Sequence, residues 1–453
     1  MAKIAGSNPA RPTYLFIYVN KIKSMEKLKR ELGLFKLTAI GIGIIVGVGI
    51  YVLIGKGAEI AGNALWISFL IASLPAIFTG LSYAELSSLF PKSGAEYVYI
   101  SNAFNNKLAW IVGWLIIFSG ILGAATVASG FGNVFSSFVY DMFSIYISSQ
   151  IVATILILFC GAILLLGVRE SAILTAVATL ISILGLLIII FSSIPNFRSF
   201  NIFEVKSISG IFEASALIFF AFIGFETIPR LSEESKNPKK DIPKAIILSI
   251  LISAILYSLV AFSSISVVGW KRLANSQNPL GEVALYNLGN TGMVLLSLFA
   301  LFATFTTTFV ILLGTSRIIY GISEYHALPK IFISISKKSH VPWVSIVFVA
   351  IMSSLFSFFG KIAFNAYLTD FTIFLTFILI NLSVIKLRFV KKYAHLKNIF
   401  RTPINLKRFP IIPFLGILSC LFLIMYTRIE IWIYGIGIVM IGFILYHLNK
   451  QLK

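Results

Sequence analysis

The chain is 453 residues long, 58% hydrophobic and only 12% charged, with a mean hydropathy of +0.95. Soluble domains carry about 25% charged residues, so a soluble globular class is excluded and a polytopic helical membrane protein remains. The net charge of +20 would suit a nucleic-acid partner, but the placement of that charge along the chain argues against one.

A membrane span takes about 20 mostly apolar residues, and the chain supplies about twelve such runs. They lie near 36–58, 64–90, 108–133, 147–167, 170–194, 210–231, 243–268, 290–320, 341–359, 364–386, 410–427 and 431–448. Residues 1–35 form a basic N-terminal segment without a signal-peptide layout. Residues 1–24 differ in character from the rest of the chain, and Met25 opens an amphipathic MEKLKRELG, so Met25 is a candidate start. With both termini cytoplasmic, about 30 of the 37 Lys and Arg fall inside, as the positive-inside rule expects. The densest basic stretches, 3–36 and 386–408, read as topology signals and contacts for anionic lipid. The localisation expected is the cell membrane, multi-pass.

The first span contains TAIGIGIIVGVGIY, with glycines at 41, 43, 47 and 49. Each costs roughly 1 kcal/mol against Ala in a helix interior, so the cluster invites unwinding. Irregular backbone at membrane depth is tolerated only where it faces protein, water or a ligand. The sixth span is interrupted at Gly224-Phe225-Glu226, where a charge falls inside an apolar run. The first ten spans divide into five and five, with a broken helix leading each half and the halves inverted. Paired breaks of this kind point to a secondary transporter's binding site. The glycines alone also fit close helix packing. Spans 11 and 12 fall outside the repeat, so the expected division is 1–35, a ten-helix core over 36–390, and 391–453.

Cys160 and Cys420 lie inside apolar runs and suggest no disulfide framework. His326, His340, His395 and His447 have no ligand spacing, so no metal site and no cofactor is expected. There is no H-E-x-x-H or G-x-S-x-G, and no filter-like repeat, so an enzyme or a channel is disfavoured.

Four segments carry a family resemblance: AIGIGIIVGVGIYVLIG in span 1, YAELSSLFPKSGAEYVYISNAF from Tyr83 to Phe104 at the end of span 2 and beyond it, GVRES at 167–171, and FFAFIGFETIPRLSEESKNPKKDIPKAI from Phe219 to Ile246. The chain resembles the amino acid–polyamine–organocation transporters, whose fold is the LeuT-type five-plus-five inverted repeat. The resemblance covers roughly residues 36–390. It implies an all-α protein of 12 transmembrane helices that carries amino acids by alternating access, as symport or exchange; a polyamine or organic-cation carrier is the alternative. It assigns the substrate carboxylate to the span 1 break, Gly47-Val48-Gly49, where exposed N–H groups suit an anion, and Ile44 and Val46 are expected beside it in the substrate site. It assigns the ammonium to carbonyls around Phe222, Ile223 and Gly224, and an aromatic cap to Phe225. Glu226 admits two roles, attraction of a cationic substrate group or a bond to its own backbone. Val48 departs from the family, which places a small residue there. Glu85, Glu233, Glu234 and Asp241 read as partners in ion pairs at the cytoplasmic face.

The coupling ion is open between H+ and Na+. The Lys that proton-coupled relatives place on span 5 is replaced by Ser182, whereas Thr306 and Thr307 match the hydroxyl pair that sodium-coupled members place on span 8. Thr hydroxyls also bond back to their own helix. Ser119, Thr126, Asp370 and Thr372 are expected side-chain contributors to the substrate pocket. The residues do not define which amino acid is carried, the direction of transport or the oligomeric state.

Overall fold

The computed structural model describes residues 32–46, 49–91, 95–167, 172–197, 205–324, 328–390, 393, 396 and 399–451. Each predicted run coincides with a helix or a helix pair. Among the described residues, eight helices are long and apolar enough to cross a membrane. A ninth crossing is the pair α1 (Leu34–Ile45) and α2 (Gly49–Ala61), bent by 46° at the glycine cluster. Three further apolar helices of 15 to 17 residues, α6 (Ser149–Leu165), α11 (Trp343–Phe359) and α13 (Ile411–Met425), occupy the remaining three predicted positions.

The other elements are α3 (Leu65–Leu89), the short α4 (Ala95–Ala103), α5 (Asn106–Phe143), α7 (Ala172–Ser193), α8 (Ile208–Ile218), α9 (Pro238–Asn275), α10 (Pro279–Glu324), α12 (Ile362–Phe389) and α14 (Ile429–Gln451). Local chemistry sets their starts. The Asn105 side chain accepts the Leu108 N–H at the head of α5, and Ser207 accepts the Gly210 N–H at the head of α8. Each satisfies one of the orphan donors of a first turn. α9 and α10 outrun the predicted spans because each is two helices joined at a left-handed glycine, Gly269 (φ 74°) and Gly289 (φ 70°). The bend lets the chain leave the membrane while staying helical.

The inverted repeat is visible in the packing. α1 lies beside the 3₁₀ segment Phe225–Glu233, and α2 beside α8, so the first and sixth spans run antiparallel. Their ends are stitched: Leu32 N–H donates to the Glu234 carbonyl (3.1 Å), and Gly62 bridges to Val205. Beyond this pair, α3 packs on α9, α5 on α10 and α6 on α11. Each partner is five spans away, as a pseudo-two-fold axis in the membrane plane requires.

Lipid gives helices no hydrophobic reason to associate, so small residues and polar bonds must hold them. Asn381 on α12 donates to Thr79 Oγ1 (2.9 Å) and to the Phe377 carbonyl (2.8 Å), and accepts from Ser82 Oγ (2.6 Å) on α3. The Trp114 indole on α5 donates to the Ile438 carbonyl of α14 (2.9 Å). The loop after α12 is also tied in. Arg388 grips Glu85 of α3 with two bonds (2.8 and 2.6 Å), and the Thr402 N–H donates to the same carboxylate (2.8 Å). Glu85 thus has a defined ion-pair partner, one that the spacing of charges did not indicate. α13 packs on α12 and α3, and α14 on α5 and α12, so the last two helices lie against the ten-helix core.

Candidate functional site

The two interrupted spans meet in the middle of the bundle. α1 ends at Ile45, with Val46 carrying non-helical angles (φ −75°, ψ 58°), and α2 restarts at Gly49. In the sixth span, α8 gives way to a 3₁₀ turn over Phe219–Phe222. The chain then turns at Gly224 (φ 129°), a conformation open to glycine at little cost, and resumes as the 3₁₀ segment Phe225–Glu233. Gly47 and Val48, assigned to the substrate carboxylate by resemblance, lie outside the described residues.

Around these breaks is a cavity of about 260 Å³. Span 1 contributes Gly43, Ile44, Ile45 and Gly49, and span 6 contributes Phe220, Ala221, Ile223, Gly224, Glu226 and Thr227. α5 adds Ile116, Ser119, Gly120, Gly123 and Val127, and α10 adds Thr306, Thr307, Ile311 and Thr315. α12 supplies Thr369, Ile373, Thr376 and Phe377, and α7 supplies Thr179. The walls are mainly aliphatic, with hydroxyls and main-chain groups providing most of the polarity.

The structure therefore gathers Ile44, Gly49, Ile223, Gly224, Glu226, Thr306, Thr307 and Ser119 from the residues singled out in the sequence. Others stand apart. Val46 and Phe222 are fully buried and do not line the cavity; the Phe222 ring packs edge-on against Tyr257 (5.4 Å). Phe225 is also fully buried, wedged between Tyr83 (5.9 Å) and Phe377 (5.3 Å), both of which line the cavity. Thr126 turns its hydroxyl back to the Leu122 carbonyl, and Thr372 turns its own to Thr369. Asp370 is buried behind the wall.

The polar groups at the breaks have specific partners. One Glu226 oxygen accepts the Gly224 N–H (2.8 Å), the intraprotein alternative for that residue. The Thr227 hydroxyl donates to the Gly224 carbonyl (2.7 Å). The Tyr257 hydroxyl of α9 sits between two main-chain oxygens released by the breaks, 2.6 Å from the Ile45 carbonyl and 3.1 Å from that of Ala221. One buried phenol thus braces both interruptions at once. Its sequence neighbourhood is an ordinary apolar run, and nothing there marked it.

Thr306 donates to the carbonyls of Phe302 (2.9 Å) and Ala303 (3.0 Å), which occupies its proton and leaves lone pairs on its oxygen. Thr306 and Thr307 share the cavity with Gly43, Ile44 and Ile45, the juxtaposition a small cation would need. At α2, the first turn has N–H groups without intrahelical acceptors, and Gly49 presents that end to the cavity. A methyl at Gly49 would overlap the Ala221 main chain, so glycine is what lets the two broken strands of backbone touch.

The amino acid permease family profile matches residues 32–445. A branched-chain amino acid permease of Bacillus subtilis is 32% identical, with 94% of both chains covered. A methylthioribose transporter of the same organism is 28% identical, again over 94% of each chain. A vacuolar cationic amino acid transporter of Arabidopsis thaliana is 28% identical over 83% of this chain and 66% of its own. With the broken-helix geometry and these matches together, the chain belongs to the amino acid permease family of the amino acid–polyamine–organocation superfamily.

Proposed function

We propose that the protein is a secondary carrier of the cell membrane that moves zwitterionic amino acids with aliphatic side chains by alternating access, in symport or exchange. The observation that carries this reading is the cavity between the two breaks. The α2 N-terminus offers N–H groups for a carboxylate, the span 6 turn offers carbonyls for an ammonium, and the remaining wall is mainly aliphatic with scattered hydroxyls. A low-dielectric site must meet both charges of a zwitterion with preorganised partners, and main-chain dipoles do so without adding net charge. Ile44, Ile116, Val127, Ile223 and Ile373 then face the substrate side chain. Glu226 already holds the Gly224 N–H, which favours a neutral substrate over a cationic one. Similarity to a relative named for branched-chain amino acids supports the same class.

The distribution of Lys and Arg supports cytoplasmic termini. The cavity then extends from the breaks toward Glu96 and Tyr83, on the cytoplasmic half.

The test is a thermal-shift screen of purified protein against the twenty amino acids, putrescine and methylthioribose, followed by radiolabelled counterflow in proteoliposomes. Leucine, isoleucine and valine are expected to stabilise the protein and to exchange. Stabilisation by arginine, lysine or putrescine alone would replace the aliphatic reading with a cationic one.

A further inference from the structure

Two cavities face each other across the bundle. One is the space at the breaks; the other, of about 580 Å³, is lined by Lys56 of α2, Ser129 of α5, Leu217 of α8, and Tyr367 with Arg428. Each participating span passes from one cavity to the other within a few residues: Val127 to Ser129 on α5, Phe220 to Leu217 on span 6, and Thr369 to Tyr367 on α12. These crossings define a thin septum at one depth.

Asp370 sits in that septum. It is fully buried, and neither carboxyl oxygen has a side-chain hydrogen-bond partner among the described residues. The backbone N–H of Phe220, at the span 6 break, acts on this carboxyl as its backbone donor. The titratable groups around it are already committed. Tyr367, one turn earlier, donates to the Glu213 carbonyl (3.3 Å), and the Glu213 carboxylate faces Arg428 (3.6 Å) at the mouth of the second cavity. On the opposite side, Glu226 binds Gly224, and Glu96 accepts from Tyr83 (3.4 Å). Arg388, on the same helix, lies about five turns away and is held by Glu85.

An ionised carboxylate with no paired cation in such a place is very costly, and intramembrane acids mark ion and proton pathways by default. Span 5 carries no Lys, Arg or His between 172 and 193 that could do this work instead. Resting on the carrier reading above, we propose that Asp370 carries the coupling proton. When the septum opens to the second cavity, the carboxylate takes a proton from that side. The neutral acid is buried again as the loaded carrier reorients, and the proton leaves to the compartment served by the first cavity. One proton is bound and one released per cycle, and no other bond changes. Its position one residue from Thr369 and three from Ile373, both in the substrate cavity, couples the proton to substrate through α12 itself.

The experiment uses the full chain in sodium-free proteoliposomes holding a pH dye, with radiolabelled leucine. Wild type is expected to accumulate leucine on an imposed pH gradient and to move protons with it. D370N is expected to retain leucine counterflow while accumulation falls to simple equilibration and the dye signal disappears. D370E, which keeps a carboxyl, is expected to retain accumulation with a displaced pH profile. The proposal is overturned if D370N still accumulates leucine on the pH gradient, if D370E has the wild-type profile, or if wild-type accumulation requires sodium. Absence of wild-type counterflow with every amino acid overturns the carrier reading itself, a separate outcome.

Discussion

Gly49 and Tyr257 show what single positions do at the crossing of the two broken spans. Adding even a methyl at Gly49 drives it into the Ala221 main chain, which has no rotamer with which to yield. Overpacking of this kind costs typically about 1–3 kcal/mol, and it falls where backbone must present ligand groups. G49A is expected to reduce leucine counterflow strongly at unchanged expression, measured as initial rate in proteoliposomes. Y257F removes one oxygen and leaves the Ile45 and Ala221 carbonyls without their brace. Losing a partner of buried acceptors costs about 1–3 kcal/mol, so the expected outcome is a lower melting temperature, and weaker leucine stabilisation, by thermal shift. A Y257F protein indistinguishable from wild type in both would show that the brace is dispensable.

At the scale of elements, α3 and α12 are joined at two depths by side chains that match donor to acceptor. The Asn381 cluster uses both amide hydrogens and the carbonyl oxygen. At the helix ends, Arg388 and Glu85 are 5% and 2% exposed, and the Thr402 N–H completes the carboxylate. Breaking a buried pair by removing one partner costs about 3–5 kcal/mol, because the other charge is stranded. R388M is therefore expected to lower the melting temperature more than the E85L/R388M double variant, which strands no charge; a larger loss in the double variant would contradict this account. Since the same pair holds the loop to the start of the hairpin at Asn405–Leu406, limited proteolysis of that loop should accelerate in R388M.

At the scale of the whole molecule, ten spans form two inverted sets whose partners sit five apart, with the cavity where their breaks cross. Alternating access asks that the cavity at the breaks reach solvent on one side at a time. Both cysteines are buried, which shields them from an impermeant reagent, and a cysteine-free background removes any residual reaction. In that background, Ile318→Cys or Thr315→Cys, in the wall of the cavity, is expected to react with a membrane-impermeant thiol reagent added to inside-out vesicles. Leucine at ten times its Kd should slow the reaction by about tenfold if it occupies the same space. Reactivity only from the opposite face would reverse the proposed orientation.

The positions of the helices were legible in the amino acids, because lipid leaves backbone no water to bind and so demands long apolar helices. The two interruptions were legible for the same reason: Gly41 to Gly49 and Gly224 are conspicuous where helix must otherwise continue. The rotation of each helix was not. Spans buried on most sides, such as α5 and α12, show no apolar stripe opposed to a polar one, so periodicity cannot say which side chain faces a cavity, a neighbour or lipid. That was decided by packing between partners far apart in the chain. It put Phe225 behind the wall, brought Tyr257 to carbonyls 36 and 212 residues away, and set Asp370 between two cavities.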